Sequence, residues 1–389
     1  MNPTLGQEDE EAPVIPRVLE LESLAARKSH FLFGPRQTGK TFLVRQTLRH
    51  ARIYDLLDSQ VYLSLTRNPG LVAEELSGRR DLVVIDEIQR MPALLNEVHR
   101  LIERGARFVL TGSSARKLRR GGVNLLGGRA RQLHLHPLTW HELGDAFDLN
   151  TALDRGTLPP VYFSDNARAD LDAYSGLYLQ HEVAAEGATR NVPAFSRFLR
   201  VAALCNATMV NFSNVANAAQ VARTTVHEYF QILADTLLVH ELPAWRRSVK
   251  RKPIASSKYY FFDVGVARTL QGRGALGPGT REYGEALETW LLNELVSWRD
   301  YVSGQPLSYW RSTSGFEVDF LIGDHTAVEL KATAHVSPGD LRSLRALAEE
   351  RVVKRLLCVS LDPRTRRVGE VQVLPLARFL ERLWGGEFR

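Results

Sequence analysis

The chain has 389 residues, enough for two or three domains of about 150 residues, each able to bury its own core. Apolar residues make up 44% and charged residues 24%, which excludes a disordered chain, and two cysteines exclude both a disulfide scaffold and a cysteine metal cluster. The net charge is +6 with a pI near 9.4, so the meaning of the basic excess depends on where it sits. The first residues, Met1–Pro16, are polar and acidic, and no run approaches about 18 continuous apolar residues. This reads as a cytoplasmic chain with no membrane contact, a flexible tail over residues 1–18, and Cys205 and Cys358 as buried free thiols.

Between Leu19 and Leu149 short apolar runs alternate with amphipathic stretches, the pattern of a parallel sheet covered by helices. Strands are predicted at His30–Phe33, Leu82–Ile85, Arg107–Leu110 and Arg131–His136, with a helix over Thr41–Leu48. From Asp170 to Leu238 the apolar spacing is helical, and Phe212–Leu238 reads as helix, turn, helix, with Thr224 capping the second. Val239–Phe262 has strand-like ends around a Pro- and Lys-rich centre, so a hairpin follows and the set takes the form of a winged helix. Beyond the Gly272–Gly279 linker comes a helix over Tyr283–Trp298. Strands at Leu307–Arg311, Glu317–Ile322 and Ala327–Leu330, a helix over Asp340–Glu349 and a strand over Val352–Val359 complete a further α/β unit.

The segment Gly34, Pro35, Arg36, Gln37, Thr38, Gly39, Lys40, Thr41 fits G-x-x-x-x-G-K-[ST] and lies between an apolar strand and a helix, where the mechanism needs it. Its glycines let backbone N–H groups curl toward phosphate oxygens, Lys40 neutralises β/γ charge, and the Thr41 hydroxyl holds Mg²⁺. Downstream, Leu82–Ile85 ends in Asp86 and Glu87, one acid placed for Mg²⁺ and one for the attacking water. Ser113, after the strand Arg107–Leu110, reads either as a sensor of the γ-phosphate or water, or as an ordinary serine turn. The basic, glycine-rich stretch Arg116–Arg131 (Arg116, Lys117, Arg119, Arg120, Gly121, Gly122, Arg129) is either a solvated loop or the source of an arginine, Arg129 or Arg116, for a neighbouring subunit.

In the C-terminal unit, Asp319 ends one alternating run while Glu329 and Lys331 share a face of the next, so the three can meet across a hairpin. Two carboxylates on one face attract a hard divalent ion and the lysine stabilises charge on a phosphodiester, a nuclease arrangement; the competing reading is an exposed strand edge. Glu288 on the preceding helix is a further ligand candidate. The stretch Leu242–Phe262 carries Arg246, Arg247, Lys250, Arg251, Lys252 and Lys258 without an acid, which suits DNA phosphates, or protein contacts and oligomer packing. His134, His136 and His141 lack the partners of a metal site and read as decoration of the sheet edge.

Taken in order, the chain resembles bacterial and archaeal AAA+-type P-loop ATPases that carry a C-terminal domain of unassigned function with a restriction-endonuclease-like core. The resemblance runs through Phe33–Thr41, Ile85-Asp86-Glu87-Ile88-Gln89, Leu110–Ser114, Gly128-Arg129 leading to Leu138–Leu143, Tyr260–Gly265, Glu317–Phe320 and Val328–Lys331. It implies an α/β chain: a P-loop domain at 19–150, a helical lid or linker at 151–210, a winged helix at 211–271 and a nuclease-like domain at 280–389. It also implies ATP and Mg²⁺ as cofactors, with Lys40, Thr41, Asp86 and Glu87 in the roles above, and a homo-oligomer such as a hexameric ring. Asp319, Glu329 and Lys331 match the PD-(D/E)XK pattern and Glu288 its helical acid. The implied activity is ATP hydrolysis coupled to remodelling of, or movement on, DNA, with a C-terminal domain that cleaves or only binds; the alternative is a nucleotide-dependent regulatory switch or DNA- or protein-binding module with a catalytically inactive nuclease-like domain. The lid arginine of such ATPases has no match in Gly156–Val161.

Overall fold

A computed structural model describes residues 14–76, 81–116, 118, 126–178 and 191–389; Lys117, Arg119, Arg120, Gly121 and Gly122 of the basic loop lie outside the described residues, as does most of the tail. The first unit is built on β1 (Ser29–Phe33), β2 (Arg52–Asp55), β3 (Leu82–Asp86), β4 (Arg107–Gly112) and β5 (Ala130–His134), all parallel in the order β2-β3-β4-β1-β5. Strands β1, β3 and β4 are apolar along their length because both faces are covered. Phe31, Phe33, Val83, Ile85, Phe108 and Leu110 pack with the helix Leu94–Glu103 on one side. Leu32, Val84 and Val109 pack with the helix Lys40–Thr47 on the other. Parallel pairing brings the C-terminal ends of β1, β3 and β4 to one edge, where open α/β sheets bind ligands.

Residues 17 and 18 are anchored to the first unit rather than free. The buried Arg17 guanidinium donates to the carbonyls of Thr38 (2.8 Å) and His136 (2.6 Å) and to Glu142 Oε1 (2.9 Å), and Val18 N–H donates to the same carboxylate at 2.9 Å. His136 is not edge decoration either. It is buried, with Nε2 2.7 Å from Asp300 Oδ2, and its N–H donates to Tyr301 Oη at 2.9 Å. The strand accordingly stops at His134.

The middle unit packs the helices Val192–Leu204, Phe212–Ala219 and Arg223–Asp235 around Phe195, Phe198, Leu199, Val226, Tyr229, Phe230 and Leu233. Asn211 caps the second helix, accepting from Ser213 and Asn214 N–H, whereas the third begins at Arg223 without a side-chain cap, so Thr224 lies inside it. An antiparallel pair, β6 (Val239–Leu242) and β7 (Lys258–Phe261), follows as expected. The connection between them is not a free wing. Trp245 N–H donates to Tyr309 O (2.7 Å), Tyr309 N–H to Pro243 O (3.0 Å) and Ile254 N–H to Arg311 O (2.8 Å), which lays the loop along the next sheet. Asp263, buried, ties the following turn by accepting from Thr157 N–H at 2.8 Å and Val266 N–H at 3.1 Å. A Cβ on Gly265 would strike the Arg155 carbonyl, so only glycine lets these segments close.

In the last unit the helix Arg281–Trp298 is buried on nearly every side. It lies on a mixed sheet of β8 (Leu307–Arg311), β9 (Glu317–Ile322), β10 (Thr326–Lys331), β11 (Arg355–Ser360), β12 (Arg366–Val368) and β13 (Val371–Pro375), ordered β12-β13-β11-β10-β9-β8. The helix Arg342–Ala348 covers the other face. Within this core the Glu294 carboxylate accepts from Trp140 N–H (2.6 Å) and Trp384 Nε1–H (3.2 Å), and burial pushes it up to about 8. Between its usual value and about 8 the folded chain holds a proton that the unfolded chain has released, so this contribution to stability is full at acid pH and lost as pH rises. Glu294→Gln is therefore expected to flatten the fall in unfolding midpoint between about pH 5 and pH 8 relative to the parent chain, measured by urea denaturation.

Candidate active site

β1 runs into Gly34–Thr41, which turns over and enters the helix Lys40–Thr47. The turn needs left-handed backbone at Gln37 (φ 63°) and Gly39 (φ 91°), and the Leu135 carbonyl stands where a Cβ on Gly34 would sit, so both motif glycines have steric reasons. Thr38 Oγ1 donates to Pro35 O at 2.9 Å. The Lys40 ammonium, buried, lies across the inside of the loop, donating to Gly34 O (2.8 Å) and Pro35 O (2.9 Å). Together with the N–H groups of the first helical turn, this makes a cradle for anionic oxygen.

Asp86, at the end of β3, faces this cradle: Oδ2 accepts from Thr41 Oγ1 at 2.8 Å and Oδ1 accepts from Thr111 Oγ1. Thr111 belongs to β4, between β1 and β3, and its hydroxyl also accepts from Glu87 N–H at 3.1 Å. One hydroxyl therefore fixes both acids, a role that selecting Ser113 from the same segment missed. Ser113 is buried at the same strand end. Glu87 sits in the left-handed region (φ 60°), a strain that clusters at functional sites, and its carboxylate accepts from Gln89 Nε2. Burial is the main cause that pushes the Glu87 carboxyl up; Lys40 pulls it down and Asp86 raises it further. Gln89 fits because Gly112 has no Cβ to collide with its amide oxygen.

Arg129 stands at the opposite edge of the sheet. Ala130 aligns with Ser29, the first residue of β1, so Arg129, which pairs with Glu103, lies about 20 Å along the strands from Gly34. Arg116 pairs with Asp235 of the helical unit.

In the second sheet the expected carboxylates converge around a lysine. Asp319 is half-buried and accepts from Leu330 N–H at 2.7 Å; Glu329, buried, meets Lys331 Nζ at 2.7 Å. Burial raises both carboxyls, Glu329 to about 7, and Asp319 is raised further by Glu329 and Glu288. Glu288 accepts from Lys258 Nζ (3.1 Å) and Tyr260 Oη (2.7 Å), and the same ammonium meets Glu317 at 2.6 Å. Two expectations change here. Glu288, expected as a metal ligand, stands close enough to Asp319 and Glu329 to raise both carboxyls but is itself held by Lys258 and Tyr260, and among the described residues no three His, Cys, Asp or Glu are arranged to hold a metal ion. Lys258 is not on the surface: strand alternation on β7 turns it inward with Tyr260, and its side chain is 4% exposed.

The rest of the basic stretch is partly committed. Arg251 pairs with Glu349 (2.6 Å), and Val249, Lys250 and Arg251 N–H groups donate to Glu350, while Arg247 pairs with Asp324 at 2.6 Å. The side chains of Arg246, Arg247, Lys250 and Lys252 remain exposed.

Residues 26–144 match the family described as AAA domain, and residues 146–276 and 283–379 match two families described as Domain of unknown function (DUF8612) and Domain of unknown function (DUF4143). The chain is 29% identical over 342 residues to uncharacterized proteins of Mycobacterium tuberculosis and Mycobacterium bovis, covering 84% of this chain and 75% of each relative. An uncharacterized protein of Methanocaldococcus jannaschii is 23% identical over 349 residues, covering 80% and 75%. A crystal structure of a Signal Transduction ATPase with Numerous Domains (STAND) protein with a tetratricopeptide repeat sensor, from Pyrococcus horikoshii, aligns at 13% identity and a TM-score of 0.23 over 72% of this chain, which spans 46% of that protein's length. No helix among the described residues is long and apolar enough to cross a membrane. The chain thus has an N-terminal AAA-type P-loop ATPase domain, with the capacity to bind ATP that such a domain carries, a helical region, and a distinct C-terminal mixed-sheet domain of unknown function.

Proposed function

We propose that the chain hydrolyses ATP at the Gly34–Thr41 loop and uses turnover to change its hold on DNA, with a nuclease-like C-terminal domain that grips without cutting. The convergence of Lys40, Thr41, Asp86, Glu87 and Thr111 on one sheet edge carries the first part. ATP and Mg²⁺ fit these donors. The loop N–H groups suit phosphate oxygens, and the Thr41 hydroxyl with the Asp86 carboxylate offers the hard oxygens that Mg²⁺ takes. Mg²⁺ held there neutralises phosphate charge. Lys40 compensates the β/γ charge, Glu87 takes the proton of the attacking water with Gln89 steadying its carboxylate, and Ser113 hydrogen-bonds at the γ-phosphate end. Arg129, at the far edge, serves the γ-phosphate of the next copy in a homo-oligomeric ring, of which a hexamer is one form.

Lys258 supports the non-cutting reading, because an internal ammonium already neutralises Glu288 and Glu317 beside Asp319. The test is ATP turnover with and without single-stranded, duplex and branched DNA, with the DNA itself run out after incubation in Mg²⁺ or Mn²⁺. DNA should raise turnover and remain intact, and Lys40→Ala should lower ATP affinity and turnover by about 100-fold or more. Equal turnover with and without DNA would remove the DNA part. Cleavage lost in Asp319→Ala and Lys331→Ala would remove the non-cutting part.

A further inference from the structure

Basic side chains far apart in sequence come together at the β12 edge of the second sheet. Leu357, Gln372 and Arg367 are in register across β11, β13 and β12, and residues in register share a face. Arg355, two residues before Leu357, shares it too. Arg382, on the helix Leu376–Trp384, reaches Gln372 Oε1 at 3.1 Å. With Lys354 and Glu370 these side chains line a groove of about 380 Å³.

The guanidiniums are held in place. Arg355 donates to Glu387 O at 2.9 Å and lies 5.8 Å from the Phe388 ring centre; Arg382 lies 5.7 Å from the same ring and pairs with the Glu387 carboxylate. Arg367 donates to Gly369 O at 3.1 Å. Lys354, Arg355, Arg367 and Arg382 outweigh Glu370 and Glu387, and each guanidinium has five donors, more than these contacts use. The Arg355 and Arg367 positions are two strands and two residues apart, about 12 Å, so they reach separate anionic groups.

We propose that this groove binds the phosphodiester backbone of DNA. The proposal rests on the reading that the chain acts on DNA, and it moves the contact from the loop between β6 and β7 to the opposite edge of the C-terminal sheet. A protein partner fits less well. The large exposed apolar side chains among the described residues, such as Phe42, Leu63 and Val249, lie elsewhere, so the groove lacks the apolar anchor of a protein interface. A polar, positive surface is what nucleic-acid interfaces present.

The test is fluorescence anisotropy of a labelled DNA duplex, and of one of its strands alone, with the full chain over a salt series. Arg355→Glu/Arg367→Glu should weaken binding about tenfold or more and reduce the log–log salt slope by about 2, with ATP affinity unchanged. Because Arg355 also holds the C-terminal turn, Arg367→Glu alone is the second variant, with a slope loss of about 1. Failure of the parent chain to bind either DNA would sink the DNA reading and the groove with it. Binding that survives both groove variants but is lost in Arg246→Glu/Lys250→Glu would overturn the groove alone. Displacement of DNA by polyglutamate as readily as by unlabelled DNA would overturn it in favour of an acidic protein.

Discussion

Replacing Glu87 with glutamine is expected to lower ATP turnover by about 100-fold or more while ATP still binds, because a positioned general base contributes about 10²–10⁴-fold. The substitution keeps the size of the side chain and its contact with Gln89, and it leaves the Lys40 cradle and the Thr41–Asp86 contact intact. What it removes is proton affinity, in a place where burial has pushed that affinity up. In the parent chain turnover should therefore rise with pH until Glu87 is fully ionised, and the variant should lose that limb. Steady-state turnover beside equilibrium binding of a fluorescent ATP analogue separates the two effects. Parent-like turnover in Glu87→Gln would mean that the water is activated elsewhere.

Lys258→Met should cost about 3 kcal/mol of stability, since breaking a buried pair from one side strands the other charge. The ammonium is buried against Glu288 and Glu317; burial alone would lower its pKa, but Glu288, Asp319 and Glu317 together pull it up. Methionine fills the space but leaves both carboxylates without their cation. Adding Glu288→Gln should recover part of the loss, because the uncompensated charge is the costly element. Urea unfolding of the single and double variants reads this directly; a single variant as stable as the parent would show that Lys258 balances nothing.

The features legible in the sequence are those set by neighbours along the chain. The Gly34–Thr41 turn, the acids Asp86 and Glu87 at a strand end and the alternating run to Asp319 each depend on local periodicity, and the structure builds each of them. β2 escaped notice because its polar ends, Arg52 and Asp55, hide a short edge strand, and β12 because only three residues form it. The place of Lys258 was hidden for another reason. Its charge reads as surface until the pairing of β7 and the helix Arg281–Trp298 bring two carboxylates to it from distant positions. The loop between β6 and β7 misled in the same way, since its partners Asp324, Glu349 and Glu350 lie roughly a hundred residues downstream. Thr111 was within reach of local reasoning, as the hydroxyl nearest the end of a strand beside the acids.

That loop has a practical consequence. Residues 243–254 sheathe β8 through main-chain hydrogen bonds, so β8 is an outer strand with its flank already clothed. A fragment cut at the glycine linker and starting near residue 280 would strip that cover and bare a row of N–H and C=O groups to any passing strand. Such a fragment invites self-association in the test tube, and biochemical dissection of this chain is better served by keeping residues 243–254 with β8.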